Sequence, residues 1–190
     1  TRSKTELKKK DYNEFYKSLS NDMEEPFDWI HFKAEGNLEF TILFYIPEKA
    51  SPDIFRADYR SGVKLYVNRV FITDDDKELL PTWLRFVRGI IDSSDLPLNV
   101  SREILQQNRI MAKIRSNSVK KILDKLKAIS GDKERYSHFF EQYGRLIKEG
   151  VYQDFEHKEA LTELLRFKST KDDGLVSLRE YVGRMREDQK

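Results

Sequence analysis

The chain has 190 residues, 38% of them hydrophobic, enough for one sizeable core or a core with a satellite. Its 35 Lys+Arg against 33 Asp+Glu leave a net charge of +2, which gives no field demanding a nucleic acid or an anionic membrane as partner. With no cysteine there is no disulfide framework, thiol nucleophile or Cys-ligated zinc, and no apolar run nears the ~20 residues of a membrane span, so the default is a soluble protein of a reducing, cytoplasmic compartment.

Tyr12, Phe15, Tyr16 and Leu19 recur at helical spacing behind Asp11 and predict a first helix, which "SND" breaks before Pro26. In "FDWIHFKAEGNLEFTILFYIP" two extended runs flank Glu35-Gly36-Asn37, and Leu38, Phe40, Ile42, Phe44 and Ile46 alternate strictly up to Pro47, which predicts an antiparallel hairpin. Ser51-Pro52 offers an N-cap and a proline at the first helical position, hence a short helix. In "GVKLYVNRVFIT", Val63, Leu65 and Val67 share one phase and Val70 and Ile72 the other, which predicts a strand with a bulge near Asn68-Arg69.

A short helix opens at Pro81. "RFVRGIID" fits either continued helix or buried strand, and Gly89, which would cost about 1 kcal/mol inside a helix, favours strand. After the extended leader Leu96-Pro97-Leu98-Asn99, a long helix is expected from Arg102 to about Ile129, with Ile104, Met111, Ile114, Ile122, Leu126 and Ile129 facing inward and Gly131 closing it. The last third reads as helices, with "KSTKDDG" a polar loop, "SLRE" at 177–180 a capping box, and no strand signal after residue 100. The chain thus divides into an α/β part, residues 1–130, and a helical region, residues 131–190. Its first residue, Thr1, and its charged end "REDQK" read as a piece cut from a longer protein.

Most chemical candidates have a plain structural explanation. His31, His138 and His157 lack ligand spacing, and "DDDKE" at 74–78 lacks the alternating oxygen ligands and glycine of a calcium loop, so no metal site is expected. No phosphate-cradling glycine loop or nucleophile elbow marks an independent enzyme. Lys113, Arg115, Lys120, Lys121, Lys125 and Lys127, set against Asp124, could grip phosphates or form a solvated helix face.

Arg102 stands apart. A cation on the opening turn of a helix opposes the helix dipole by roughly 0.3 to 1 kcal/mol, yet that turn, with Ser101 as N-cap and a proline-stiffened leader before it, suits an anion. A guanidinium there can neutralise a terminal phosphoryl group, or it can pair with Glu103 or Asp95.

"DSSDLPLNVSREILQQNRIM" resembles the signature of the middle domain of the heat-shock protein 90 family of ATP-driven chaperones, and "DYNEFYKSLSND", "KLYVNRVFITDD", "LPTWLRFVRGIIDSSDLPLN", "LLRFKST" and "SLREYVGRM" follow in family order along the whole chain. The resemblance implies a large three-layer α-β-α domain of the ribosomal protein S5 domain 2 type, with a helical extension leading to a smaller α/β unit. It implies that Arg102 reaches the γ-phosphate of ATP, which is bound with magnesium in a separate N-terminal domain. Asn99 and Gln106 would shape or engage that loop, and the fragment alone would bind no cofactor.

The resemblance also implies surfaces for clients and co-chaperones, a C-terminal dimerisation domain in the same chain, a full-length homodimer and a mostly monomeric fragment. Phe71 falls at a position associated with client contact, the alternative being a core ring on a sheet covered on both sides. Met23 stands where the family often has tryptophan. Two other function classes are a basic-helix nucleic-acid-binding module and a self-contained enzyme; neither a nucleic acid nor a membrane is expected as partner.

Overall fold

Strict apolar alternation from Phe40 to Ile46 makes that segment a strand with one deeply buried face. The computed structural model, which describes residues 4–59, 62–74, 79–97 and 109–189, builds a five-stranded sheet around it. The strands are β1 (Asp28–Ala34), β2 (Phe40–Ile46), β3 (Gly62–Val67), β4 (Val70–Thr73) and β5 (Arg88–Ser93), in the order β1-β2-β5-β3-β4. Neighbours pair antiparallel except β3 with β5, which are parallel. By contacts the chain divides into two compact units, residues 1–122 and 123–190.

Register sorts the first unit's side chains into two faces. Ile30, Phe44, Gly89 and Val63 lie across from one another, as do Phe32, Ile42, Ile91 and Leu65. This face is the main core: Ile42, Phe44, Val63, Leu65 and Ile91 are fully buried, and Lys121 of helix α2 (Arg109–Ile129) sets its ammonium 4.3 Å above the Phe32 ring. Trp29, Leu43 and Tyr45 point to the opposite face, where helix α1 (Lys9–Ser20) packs Tyr12 and Tyr16 against them. Tyr12 stacks on Trp29 at 5.0 Å, and the Tyr45 hydroxyl donates to the Tyr12 carbonyl at 3.0 Å. Helix, sheet and helix make the expected three layers.

Several expectations hold. The first hairpin turns through Gly36 at a φ of 111°, a three-residue helix spans Thr82–Leu84, and "RGIIDS" is a strand. Met111, Ile114, Ile122, Leu126 and Ile129 form the buried stripe of α2; Ile104 lies outside the described residues.

Two expectations in this unit are corrected. Instead of a helix after Ser51, successive turns form, because the bonds Ile54 N–H to Ser51, Arg56 N–H to Asp53 and Tyr59 N–H to Arg56 each close over three residues and never propagate. "GVKLYVNRVFIT" is a hairpin and not one bulged strand. Asn68 and Arg69 both take left-handed φ values, 49° and 68°, and form the two-residue turn whose twist suits a tight reversal. Arginine is held in that conformation by Asp92, which accepts its backbone N–H at 3.1 Å, while Asn68 N–H donates to the Ser93 carbonyl. The phase change read as a bulge is a chain reversal, with a smaller register irregularity between Leu65 and Tyr66.

The second unit is built on α3 (Lys133–Gln153), whose Tyr136, Phe139, Phe140, Tyr143, Leu146 and Ile147 are buried. Helix α4 (Lys158–Leu164) docks on it, with the Tyr136 hydroxyl donating to the Leu164 carbonyl at 2.6 Å. "KSTKDDG" is not a loop: β6 (Arg166–Ser169) and β7 (Asp172–Ser177) form an antiparallel hairpin, so strands do occur after residue 100. Only Val176 of the hairpin is buried, and a ribbon so exposed carries no apolar alternation to read. Arg184 ties it to helix α5 (Leu178–Gly183) through Asp172 and Ser169, and Ser177 and Glu180 form the expected capping box.

Gly89 sets a sharp test of this packing. Its φ is 146°, and a Cβ there would collide with the Leu43 carbonyl and come within 2.9 Å of Phe44 Cα. Gly89→Ala should therefore destabilise the chain by about 3 kcal/mol or more in chemical denaturation. Gly174→Ala, where a Cβ meets nothing within 4 Å, should change stability by only about 0.5 kcal/mol.

Candidate functional site

Arg102, Asn99 and Gln106 lie outside the described residues, but their anchors are in place. At the end of β5 the Asp95 carboxylate accepts the Glu39 N–H at 2.6 Å, the Ser93 hydroxyl donates to the Glu39 carbonyl at 3.2 Å, and Leu96 is buried. Asp95, one of the alternative partners of Arg102, thus already gives one carboxylate oxygen to a backbone N–H. Beyond the stretch, Met111 anchors α2 in the core.

Phe71 lies on β4, the edge of the sheet, and is 51% exposed. It pairs in register with Tyr66, and the two rings meet edge to face at 5.8 Å. One side of the phenyl is thus supported while the other faces solvent. Register carries Tyr66 onto the α1 face together with Lys64, Ile90 and Asp92. The sequence reading does not single out Lys64 or Tyr66, and takes Arg69 only as part of a bulge; the available signal is the alternation Val63-Lys64-Leu65-Tyr66-Val67, in which the odd positions are core and the even positions face outward.

Met23 is 85% exposed in the turn after α1. Polar contacts hold that turn: Asn21 caps the helix at a φ of 54°, Asp22 accepts from the Tyr16 hydroxyl at 2.7 Å and from Glu24 N–H at 3.0 Å, and Lys49 bonds Glu24 at 2.5 Å. A thioether held out in water this way is an adaptable apolar contact.

The basic helix is less free to grip phosphates than its sequence suggests, since Lys121 sits over Phe32 and Lys127 bonds Glu163 at 3.1 Å. Among the described residues no group of three or more His, Asp or Glu is placed to hold a metal ion, and no described helix is long and apolar enough to cross a membrane. Each of two histidines has a structural partner: His157 lies 2.9 Å from an Asp154 oxygen, and His31 Nδ1 lies 2.8 Å from the Tyr12 hydroxyl.

All 190 residues match the family model described as "Hsp90 protein". The chain is 62% identical to "Chaperone protein HtpG" of Helicobacter acinonychis over 188 residues, which cover 99% of this chain and 30% of that protein. It is also 62% identical to the HtpG of Wolinella succinogenes over 189 residues, covering 99% and 31%, and 59% identical to that of Treponema denticola over 192 residues, covering 98% and 30%. The chain therefore spans about 30% of the length of these curated relatives. Among solved structures, the middle domain of a Plasmodium falciparum heat shock protein superposes with a TM-score of 0.88 at 29% identity, covering 100% of this chain and 74% of that one.

His31 joins α1 to β1 in a pH-dependent way. Burial, followed by the charge of Lys4, holds its pKa below the ordinary 6.5. The neutral ring, protonated on Nε2, can accept the Tyr12 hydroxyl. A histidine depressed in the folded state binds its proton more readily when unfolded, so its contribution is complete above about pH 6.5 and is lost as pH falls through the folded value. The urea midpoint of the chain should decline between pH 7.5 and pH 5, and His31→Gln should remove part of that decline; an unchanged pH slope would exclude His31 as its source.

Proposed function

We propose, because this chain belongs to the Hsp90 protein family, that it serves a full-length chaperone in two ways: it completes ATP hydrolysis with Arg102, and it presents apolar surface to client proteins. The observation that carries the first role is the segment "LPLNVSRE" in a chain matched by the family model from end to end.

ATP, held with magnesium by an N-terminal domain, would supply the phosphoryl group. This chain's residues fit only one end of such a ligand, since they offer no glycine-rich cradle, and no described carboxylate cluster could hold a metal. Arg102 would meet the terminal phosphate and stabilise the charge developing there as water, activated within the N-terminal domain, bonds to the γ-phosphorus and the bond to ADP breaks, while Asn99 and Gln106 would position the turn that carries it. A single charge-assisted contact is too little to offset the entropy of association, so the isolated chain binds no nucleotide tightly. Dimerisation belongs to the C-terminal part of the full-length protein, and co-chaperones dock on the assembled chain.

The client role rests on Phe71 and Met23, two large apolar side chains held exposed by polar or aromatic neighbours in the first unit.

In a full-length chaperone carrying this chain, Arg102→Ala should lower single-turnover hydrolysis by about 10³, equivalent to roughly 4 kcal/mol in the barrier, with nucleotide affinity and the denaturation curve little changed. Arg102→Lys should not restore it, because an ammonium lacks the planar fork. Near-normal turnover of the alanine variant would refute the assignment, and Glu103→Ala reproducing its loss together with lost stability would make Arg102 a structural partner.

Phe71→Ala should weaken capture of a partly folded client several-fold while ATP turnover stays near normal. A stability loss of about 3 kcal/mol or more would mark a core ring and end the client assignment.

A further inference from the structure

Helix α1 covers only part of its face of the sheet. Its Tyr12 and Tyr16 sit over β1 and β2, whereas over β5 and β3 a cleft of about 350 Å³ remains between the helix and the strands. Phe15 and Leu19 of α1 form one wall, Tyr66 and Ile90 line the sheet side, and Lys64, Arg69 and Asp92 stand around them. The volume lies in the range of roughly 300–1,000 Å³ usual for ligand clefts.

The charges in the cleft are unbalanced. Neither Lys64 nor Arg69 makes an ion pair among the described residues. Asp92, the one carboxylate among the described lining residues, uses one oxygen on the backbone N–H of Arg69. Two such cations beside aromatic and aliphatic walls complement a ligand that is both apolar and anionic. The cleft neighbours the half-exposed phenyl at the sheet edge through Tyr66, one of its lining residues, whose ring centroid lies 5.8 Å from that of Phe71.

We infer that this cleft seats an extended segment of a non-native polypeptide in which an aromatic or branched aliphatic side chain is flanked by carboxylates. The apolar side chain enters between Phe15, Leu19 and Ile90, and the carboxylates meet Lys64 and Arg69. The inference rests on the client-binding reading of Phe71 and adds to it a preference for acidic over basic segments. Fully exposed opposite charges would contribute little, but cations beside a low-dielectric wall discriminate against like charge as well as attracting the opposite one.

The test uses the full chain and two short fluorescein-labelled peptides of equal length, one alternating aspartate with phenylalanine and leucine, the other alternating lysine with the same apolar residues. Fluorescence anisotropy should show the acidic peptide binding about tenfold more tightly, with the difference shrinking as salt is raised. The double variant Lys64→Glu, Arg69→Asn should abolish or reverse the preference; asparagine tolerates the left-handed backbone at position 69. Circular dichroism and the urea midpoint check that this variant is folded.

Equal affinities, or a preference unchanged in the double variant, would overturn the inference. So would sedimentation showing that the chain dimerises and that the double variant dissociates it, because the occupant would then be a second copy.

Phe71→Ala tests the underlying reading separately, through client capture by the full-length chaperone. Its loss of client binding without any charge preference in the peptides removes the cleft assignment and leaves the client surface standing. A charge preference that disappears in the double variant, with no effect of Phe71→Ala, keeps the cleft and removes Phe71 from the client surface.

Discussion

The first unit depends on how closely β2 and β5 approach at residue 89. A backbone carbonyl and a Cα of β2 occupy the space where any side chain of that residue would begin, so glycine is required there for steric reasons as well as for its φ. Only with that approach can β5 pair antiparallel with β2 on one side and parallel with β3 on the other. The end of β5 then organises two neighbouring segments. Ser93 and Asp95 hold the chain at Glu39 just before the arginine stretch, while Asp92 and the Ser93 carbonyl fix the Asn68-Arg69 turn that aims β4. The segment leading toward the arginine stretch and the sheet edge that bears Phe71 are thus both tied to one strand end.

The architecture was largely legible because its strands are half-buried and its long helices amphipathic, and these are the conditions under which periodicity reports burial. Gly89 shows both the reach and the limit of that reading. Its poor fit to a helix identified the strand correctly, but the collision that makes it indispensable involves a carbonyl more than forty positions earlier, and no local rule contains that contact. The β6–β7 hairpin was illegible for the opposite reason: with nearly every residue in water, its order comes from backbone pairing and from the Arg184 tie to Asp172 and Ser169. Lys64 and Tyr66 carry no local signal, because a lysine and a tyrosine on alternate strand positions look like ordinary solvent-facing residues, and Arg69 is legible only as part of the irregularity at Asn68-Arg69. Their meaning depends on α1 stopping short of them, which is a tertiary fact. Arg102 stands out in the sequence by its motif and by the helix start expected there, while the group it is proposed to meet would lie in another domain, which no local pattern in this chain describes.

The exposed apolar side chains stand on ordered local surroundings. Met23 rides on a turn fixed by Asp22, Tyr16, Glu24 and Lys49, and Phe71 leans on Tyr66. Immobilising a side chain on binding costs roughly 0.5 to 1.5 kcal/mol, so polar scaffolding that has already restrained its surroundings leaves more of the apolar contact for the partner. Because that scaffolding is local, the residue at either tip can change without disturbing the sheet beneath it.

The brevity of β4 has a consequence of its own. A sheet margin bearing open backbone groups and a half-exposed phenyl ring can template fibrous self-assembly. Four residues offer too few rungs for a foreign strand to lock on through backbone bonds alone. A partner at this margin would therefore be held mainly through side chains, which release more readily than a zippered ladder would. A longer strand would offer more backbone pairing and a greater risk of seeding aggregation.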